Sequence, residues 1–270
     1  MSEVDSRDPA EVYERYLGRA IADPFTRVLL EYAAPRRGER VLDLACGTGS
    51  VARQVAPTVG AEGHVIALDI NPGMLAVGRA APPPAGAVIE WREGDAASHD
   101  LPGRTVDLVL CQQGLQFFAD RIAALHETRR VLVRTGMAAF SVWQPLDAHP
   151  IYKALFEATA RHLGAATSDL AVAFSLGKAD ELQSLFADAG FEQAAIHPRS
   201  LVVRFASPEH FVSLTVAGAA TSVPAFIQMS AETRTELIAA VAGELAPVIE
   251  GHVVDGELMF QMSTHVVVAS

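Results

Sequence analysis

Between residues 40 and 143, short apolar runs alternate with stretches whose apolar side chains recur at helical spacing, and this alternation limits the fold more than any other feature. Residues 41–45, 64–68, 88–92, 106–111 and 136–143 read as buried strands, with residues 49–59, 72–80 and 119–132 as helices between them and a short segment near Ser98. Strands joined through helices run mostly parallel, and right-handed crossovers place helices on both faces of the sheet. The expectation is an α/β fold with a doubly wound sheet.

Upstream, Asp8-Pro9 suits a helix cap with a first-turn proline, and Val12, Tyr13, Tyr16, Leu17, Phe25, Val28, Leu29 and Tyr32 keep helical spacing. Asp23-Pro24 predicts a break that divides them into two helices. Downstream, residues 151–163 read as helix, and residues 178–189 as an amphipathic helix stopped by Gly190. Residues 192–205 read as extended, 208–246 as a helical block and 258–269 as a final strand, which brings the mostly parallel sheet to seven strands. This describes one domain with an N-terminal helical cap at 1–37 and a core at 38–145. Helical lid insertions occupy 146–177 and 206–256, and the chain returns to the core at 178–205 and 257–270. Pro82-Pro83-Pro84, between a helix and a strand, reads as a rigid connector.

Composition excludes several classes of function. The formal net charge is −11, and Arg36-Arg37 and Arg129-Arg130 are isolated pairs, so no basic surface for nucleic acid is expected. No apolar run reaches the length of a membrane span, and the N-terminal residues are acidic where a secretory signal is basic. Two cysteines, Cys46 and Cys111, both in apolar strand-like surroundings, make no disulfide framework. A cytoplasmic setting is the expectation.

The chemically informative stretch is Asp43-Leu44-Ala45-Cys46-Gly47-Thr48-Gly49-Ser50-Val51-Ala52, at a strand-to-helix junction. Glycines there let backbone approach a ligand closely, and ligands of such sheets bind beyond the carboxyl ends of the strands. The loop alone is ambiguous. Gly47-x-Gly49-x-x-Ala52 also satisfies the dinucleotide fingerprint, and Asp69 stands twenty residues after Gly49, where such proteins carry a ribose-binding acid. Neighbouring charge separates the two cofactor classes. A pyrophosphate at the helix N-terminus is repelled by an adjacent carboxylate such as Asp43, whereas S-adenosylmethionine (SAM) brings an ammonium, a sulfonium and no phosphate. Asp95, in Gly94-Asp95-Ala96 after the third strand, is placed to accept from an adenine amine. Asp43, Asp69 and Asp95 thus supply one acid for each region of the ligand.

Four ordered motifs carry a family resemblance: Val-Leu-Asp-Leu-Ala-Cys-Gly-Thr-Gly at 41–49, Ala-Leu-Asp-Ile-Asn-Pro-Gly-Met-Leu at 67–75, Gly-Asp-Ala at 94–96, and Asp-Leu-Val-Leu-Cys-Gln-Gln-Gly-Leu-Gln-Phe-Phe at 107–118. Over about residues 10–145 the chain resembles the class I SAM-dependent methyltransferases, of the ubiquinone/menaquinone-biosynthesis and natural-product small-molecule types. The resemblance implies a Rossmann-like fold and SAM as cofactor, with S-adenosylhomocysteine as product. Ala45, Gly47 and Gly49, with Thr48 between the glycines, would border the methionine part. Asp69 would bind both ribose hydroxyls, Ile70 and Met74 would pack on adenine, and Asp95 and Ala96 would meet the adenine edge. Gln112 would lie near the methionine amino group, and Tyr16, with Tyr13 as the alternative, would come from an N-terminal helix closing over SAM. Val133-Arg134-Thr135-Gly136 departs from the Pro-Gly or Gly-Gly turn usual before the fifth strand.

Methyl transfer is an in-line displacement that positioning and exclusion of water can drive, and a base is needed only where the acceptor must lose a proton. His149, in the loop after the fifth strand, is the base candidate, ahead of His265 in a strand and His126 in a helix. Gln113, Gln116 and Phe117 are placed to line the acceptor side. The later helical block is apolar, through Phe211, Leu214, Val216, Val223, Phe226, Ile227 and Met229, with Phe174 and Leu176 before it. Such a face suits a pocket wall for a largely apolar small molecule, a homodimer interface or an ordinary core. Two other functions stay open: a SAM-binding protein of the same fold with another role, such as a cyclase, and a nicotinamide-dependent oxidoreductase. Asp43 and the lack of a Ser/Tyr/Lys pattern count against the last.

Overall fold

The computed structural model describes residues 9–220 and 223–270, so Asp8 of the expected cap lies outside the described residues. In chain order the helices are α1 (Pro9–Val12), α2 (Asp23–Ala33), α3 (Ser50–Val59), α4 (Pro72–Ala80), α5 (Arg121–Val131), α6 (Pro150–Leu163), α7 (Thr167–Leu170), α8 (Ala179–Asp188), α9 (Pro208–Ala220), α10 (Pro224–Ile227) and α11 (Ala231–Glu250). The strands are β1 (Arg40–Leu44), β2 (His64–Asp69), β3 (Val88–Glu93), β4 (Val106–Gln112), β5 (Leu132–Trp143), β6 (Ala194–Phe205), β7 (Val253–Val254) and β8 (Glu257–Ala269).

Seven strands lie in the order β3-β2-β1-β4-β5-β8-β6, and the two-residue β7 pairs with β8 off this path. β1 is parallel to β2 and β4, β2 to β3 and β4 to β5, whereas β8 runs antiparallel to β5. Val41, Leu42 and Leu44 of β1, and Val109 and Leu110 of β4, are fully buried, as expected of a parallel sheet covered on both faces. The strand order reverses between β1 and β4. That reversal is the topological switch point at which open α/β sheets form a crevice beyond their carboxyl ends.

Two local expectations are corrected. The N-terminal region is not interrupted at Asp23-Pro24, because a π-helical segment, Tyr13–Ala22, joins α1 to α2. The Asp23 N–H reaches back five residues to the Gly18 carbonyl, and Pro24 falls in the first turn of α2, where its missing donor costs least. The departure at Val133–Gly136 is an interruption inside a strand rather than a turn before one. Val106 pairs with Leu132 while Leu108 pairs with Met137, so the residues between Leu132 and Met137 bulge from the ladder.

The chain divides into two compact units. The first comprises Met1–Trp143, Lys178–Arg199 and Thr264–Ser270, and the second Gln144–Gly177 and Ser200–Ser263. The first contains β1–β5. The second is built around α6, α9 and α11, which pack on one another. Its core is aromatic: Phe211 lies 4.6 Å from Phe205, 5.1 Å from Phe260 and 5.5 Å from Tyr152 between ring centres. Phe174, Leu176, Phe211, Leu214, Val216, Val223 and Phe226 are buried, while Ile227 is exposed. Most of the apolar face read from the sequence is therefore taken up as core.

Candidate cofactor site

The loop from Ala45 to Gly49 folds at the carboxyl end of β1 because its residues accept left-handed backbone. Gly47 and Gly49 have φ of 55° and 87°, and Ala45 takes 57°. A Cβ at Gly49 would come within 2.2 Å of the Trp91 ring, so glycine there also makes room for that side chain. Gly47 differs: nothing lies within 4 Å of a Cβ built on it, and it faces open space. The loop after β4 touches the first loop, since a Cβ on Gly114 would stand 2.8 Å from that of Ala45 and 2.9 Å from the Cys111 sulfur.

Carboxylates hold this loop. Asp69 accepts from the Gly47 N–H at 2.7 Å and from the Asn71 N–H at 2.8 Å. Asp43 is buried, with Oδ2 accepting from the Ala52 N–H at 2.8 Å in the first turn of α3. Its Oδ1 is buried without a hydrogen-bond partner. Burial, reinforced by the Asp69 charge, pushes the Asp43 carboxyl up to about 8, against the Ala52 hydrogen bond and Arg53, which favour the anion. Burial also raises the thiols of Cys46 and Cys111.

Residues outside the motifs complete the site. Glu14 accepts from Thr48 Oγ1 at 2.5 Å and from Arg53 Nη2 at 2.8 Å, while Arg53 Nη1 donates to the Thr48 carbonyl. Asp23 accepts from Ser50 Oγ at 2.5 Å and Gln54 Nε2 at 3.1 Å. Tyr13 lies near enough to Asp69, Glu14 and Asp23 that, after burial, their charges help raise its phenol to about 12. Tyr16 lies under the Arg15 guanidinium at 5.3 Å, and Tyr13 is linked electrostatically to Asp69.

The remaining expected residues divide. Gln112 accepts from Thr26 Oγ1 at 2.7 Å and donates to the Ala22 carbonyl at 2.9 Å, which ties β4 to the N-terminal helices. Gln113, at φ 53°, donates to Thr264 Oγ1 at 3.1 Å and accepts from Gln116 Nε2 at 3.3 Å. Phe117 and Ile70 are exposed, Met74 is half-buried and Ala96 is buried. Asp95 is exposed and accepts from the Ala97 N–H at 2.8 Å in a side-chain-closed turn. His149 is corrected most. It lies in the second unit, buried, with Nδ1 3.1 Å from the Pro145 carbonyl oxygen and Nε2 against both the carbonyl and N–H of Ser263 at 3.0 Å. An imidazole anchored to backbone through both nitrogens, its pKa lowered by burial, is not the open-loop base that the sequence predicted.

The donor set discriminates between cofactors. The Gly47 and Ala52 N–H groups already serve carboxylates, Gly49 N–H serves the Cys46 carbonyl, and the Arg53 guanidinium serves Glu14. A pyrophosphate would meet the carboxylates of Asp69 and Glu14 beside these committed donors. The buried free oxygen of Asp43 and the open space over Gly47 suit a close-lying, positively charged nucleoside such as SAM.

Comparison with known proteins agrees. The family described as a methyltransferase domain matches residues 41–136. A ubiquinone/menaquinone biosynthesis C-methyltransferase, UbiE, from Xylella fastidiosa is 34% identical over 180 residues, covering 62% of this chain and 71% of that protein. The chain belongs to the class I SAM-dependent methyltransferases. A 2-phytyl-1,4-naphtoquinone methyltransferase from Synechococcus elongatus is 34% identical over 131 residues, 48% of this chain and 54% of its own length, so the chain spans about half the length of such curated relatives. Among solved structures, phosphoethanolamine N-methyltransferase 2 of Haemonchus contortus, in complex with SAM, has a TM-score of 0.57 at 15% identity, covering 97% of this chain and 56% of that one, and shares the methyltransferase fold. No helix among the described residues is long and apolar enough to cross a membrane.

Proposed function

We propose that this methyltransferase-family chain moves the methyl group of SAM onto a small, largely apolar acceptor of quinone-like ring chemistry, by in-line displacement. The observation that carries the cofactor assignment is the buried, half-partnered carboxylate of Asp43 beside a glycine loop in which the Gly47 and Gly49 N–H groups are already committed. The acceptor class rests on the chain's similarity to quinone methyltransferases.

SAM, when bound, supplies a methyl group made electrophilic by its sulfonium. Asp43 offers negative charge toward the amino-acid end, Ala45, Gly47, Thr48 and Gly49 border it, and Asp69 keeps oxygen lone pairs for the ribose hydroxyls. Ile70, Met74, Asp95 and Ala96 flank adenine. Tyr13, or Tyr16 one turn along, closes the cofactor end against water, and Gln112 holds β4 against α2 beside it. Gln113, Gln116 and Phe117 line the acceptor side, where positioning supplies much of the rate. Calorimetric titration of SAM into the wild type and Asp69→Ala tests the cofactor. Saturable binding in the wild type, weakened about tenfold or more in the variant, is expected, and absence of wild-type binding contradicts the proposal. S-Adenosylhomocysteine formation with a naphthoquinol acceptor tests the reaction; turnover is expected there, and turnover only with amine or thiol acceptors contradicts the acceptor class.

A further inference from the structure

Asp43 is an unusual carboxylate for a cation site. It is 1% exposed, one of its oxygens serves the Ala52 N–H, and the other, Oδ1, has no partner. The groups that reach it electrostatically are Asp69 at the end of β2, Arg53 on α3, Cys46 in the loop and Cys111 on β4. Asp69 repels a second negative charge. The two cysteines are buried thiols and carry none. Arg53 is the neutralising partner in principle, but its guanidinium is bound to Glu14 at 2.8 Å and to the Thr48 carbonyl. A bare anion at Asp43 would therefore be buried, with one oxygen unpartnered and only partial compensation from Ala52 N–H and Arg53, a state that proteins avoid by retaining a proton.

With SAM as the occupant, on which this step rests, we infer that Asp43 carries a proton in the cofactor-free protein and releases it to solvent when the positively charged end of SAM is bound. The balance is simple: the carboxylic acid becomes a carboxylate, the proton leaves to buffer, and the cation takes over its charge. The consequence is proton-linked binding, in which affinity for SAM rises with pH while Asp43 is still protonated. Asp43 is then a gate on cofactor affinity as well as a contact.

Calorimetry in buffers of low and high ionisation enthalpy counts the protons directly. At ~pH 6.5, below the α-amino titration of SAM itself, about one proton released per SAM is expected for the wild type and close to none for Asp43→Asn. Affinity of the wild type should tighten about tenfold per pH unit between ~5.5 and 7. That second measurement needs no variant, and so stands if Asp43→Asn fails to fold. Binding without proton release overturns the inference and leaves the cofactor assignment intact. Release of the same size in Asp43→Asn also overturns it, since another group would be the source. Absence of any SAM binding by the wild type overturns both and is seen before protons are counted.

Discussion

At the scale of single residues, Asp43 and Gly49 carry the sharpest consequences. The folded protein holds the Asp43 carboxyl well above its unfolded value, so between the two the native state binds more protons than the unfolded chain, and stability contributed by this group is lost as pH rises toward about 8. Denaturant unfolding at ~pH 5.5 and 8.5 should show Asp43→Asn gaining about 1–3 kcal/mol relative to the wild type at the higher pH. An unchanged difference between the two proteins across that range would contradict it. At Gly49 a side chain meets Trp91 at 2.2 Å, with φ already in the left-handed region. Gly49→Ala should cost about 1–3 kcal/mol by the same measurement, and Trp91→Leu in the same chain should recover part of it. Purely additive losses would show that the two residues do not compete for space.

At the scale of elements, the N-terminal helices are held on the loop by a few polar side chains. Glu14, within the π-helical segment, receives both Thr48 and Arg53. Glu14→Gln should loosen that segment selectively, raising amide hydrogen exchange over residues 13–22 severalfold while β1 and β4 stay protected. Uniform change across the chain would contradict a local latch. The sheet elements were legible in the sequence because each is specified locally. Val41, Leu42 and Leu44 announce a two-sided buried strand, and Asn71-Pro72 opens α4 with Asn71 capping Gly73 and Met74. The N-terminal continuity was not legible, since Asp-Pro ordinarily reads as a helix boundary and here a π-register carries the helix through it. Glu14–Thr48, Thr26–Gln112 and Trp91 against Gly49 were invisible for a related reason. Each joins residues far apart in the chain, and no local spacing encodes the pairing.

At the scale of the whole molecule, two units carry different physical stories. The first is a parallel sheet whose switch point gathers the acids of β1 and β2. The second is a helical body around Tyr152, Phe205, Phe211 and Phe260, in which His149 is structural. Sequence position alone put His149 in an open loop, because nothing local announces that Pro145 and Ser263 would take both its nitrogens. Burial keeps His149 below its ordinary pKa, so the unfolded chain takes up the proton first and stability falls as pH drops below about 6.5. His149→Gln should flatten that acid loss in urea unfolding followed by proteolytic cutting within residues 144–177 and 200–263, and an unaltered pH dependence would contradict it. For the first unit, a crystal structure with S-adenosylhomocysteine is the most direct measurement. The nucleoside should lie over Gly47, with ribose hydroxyls at Asp69 and the amino-acid end toward Asp43. Density for that ligand away from the glycine loop, or preferential occupation of the loop by a dinucleotide pyrophosphate, would contradict the assignment.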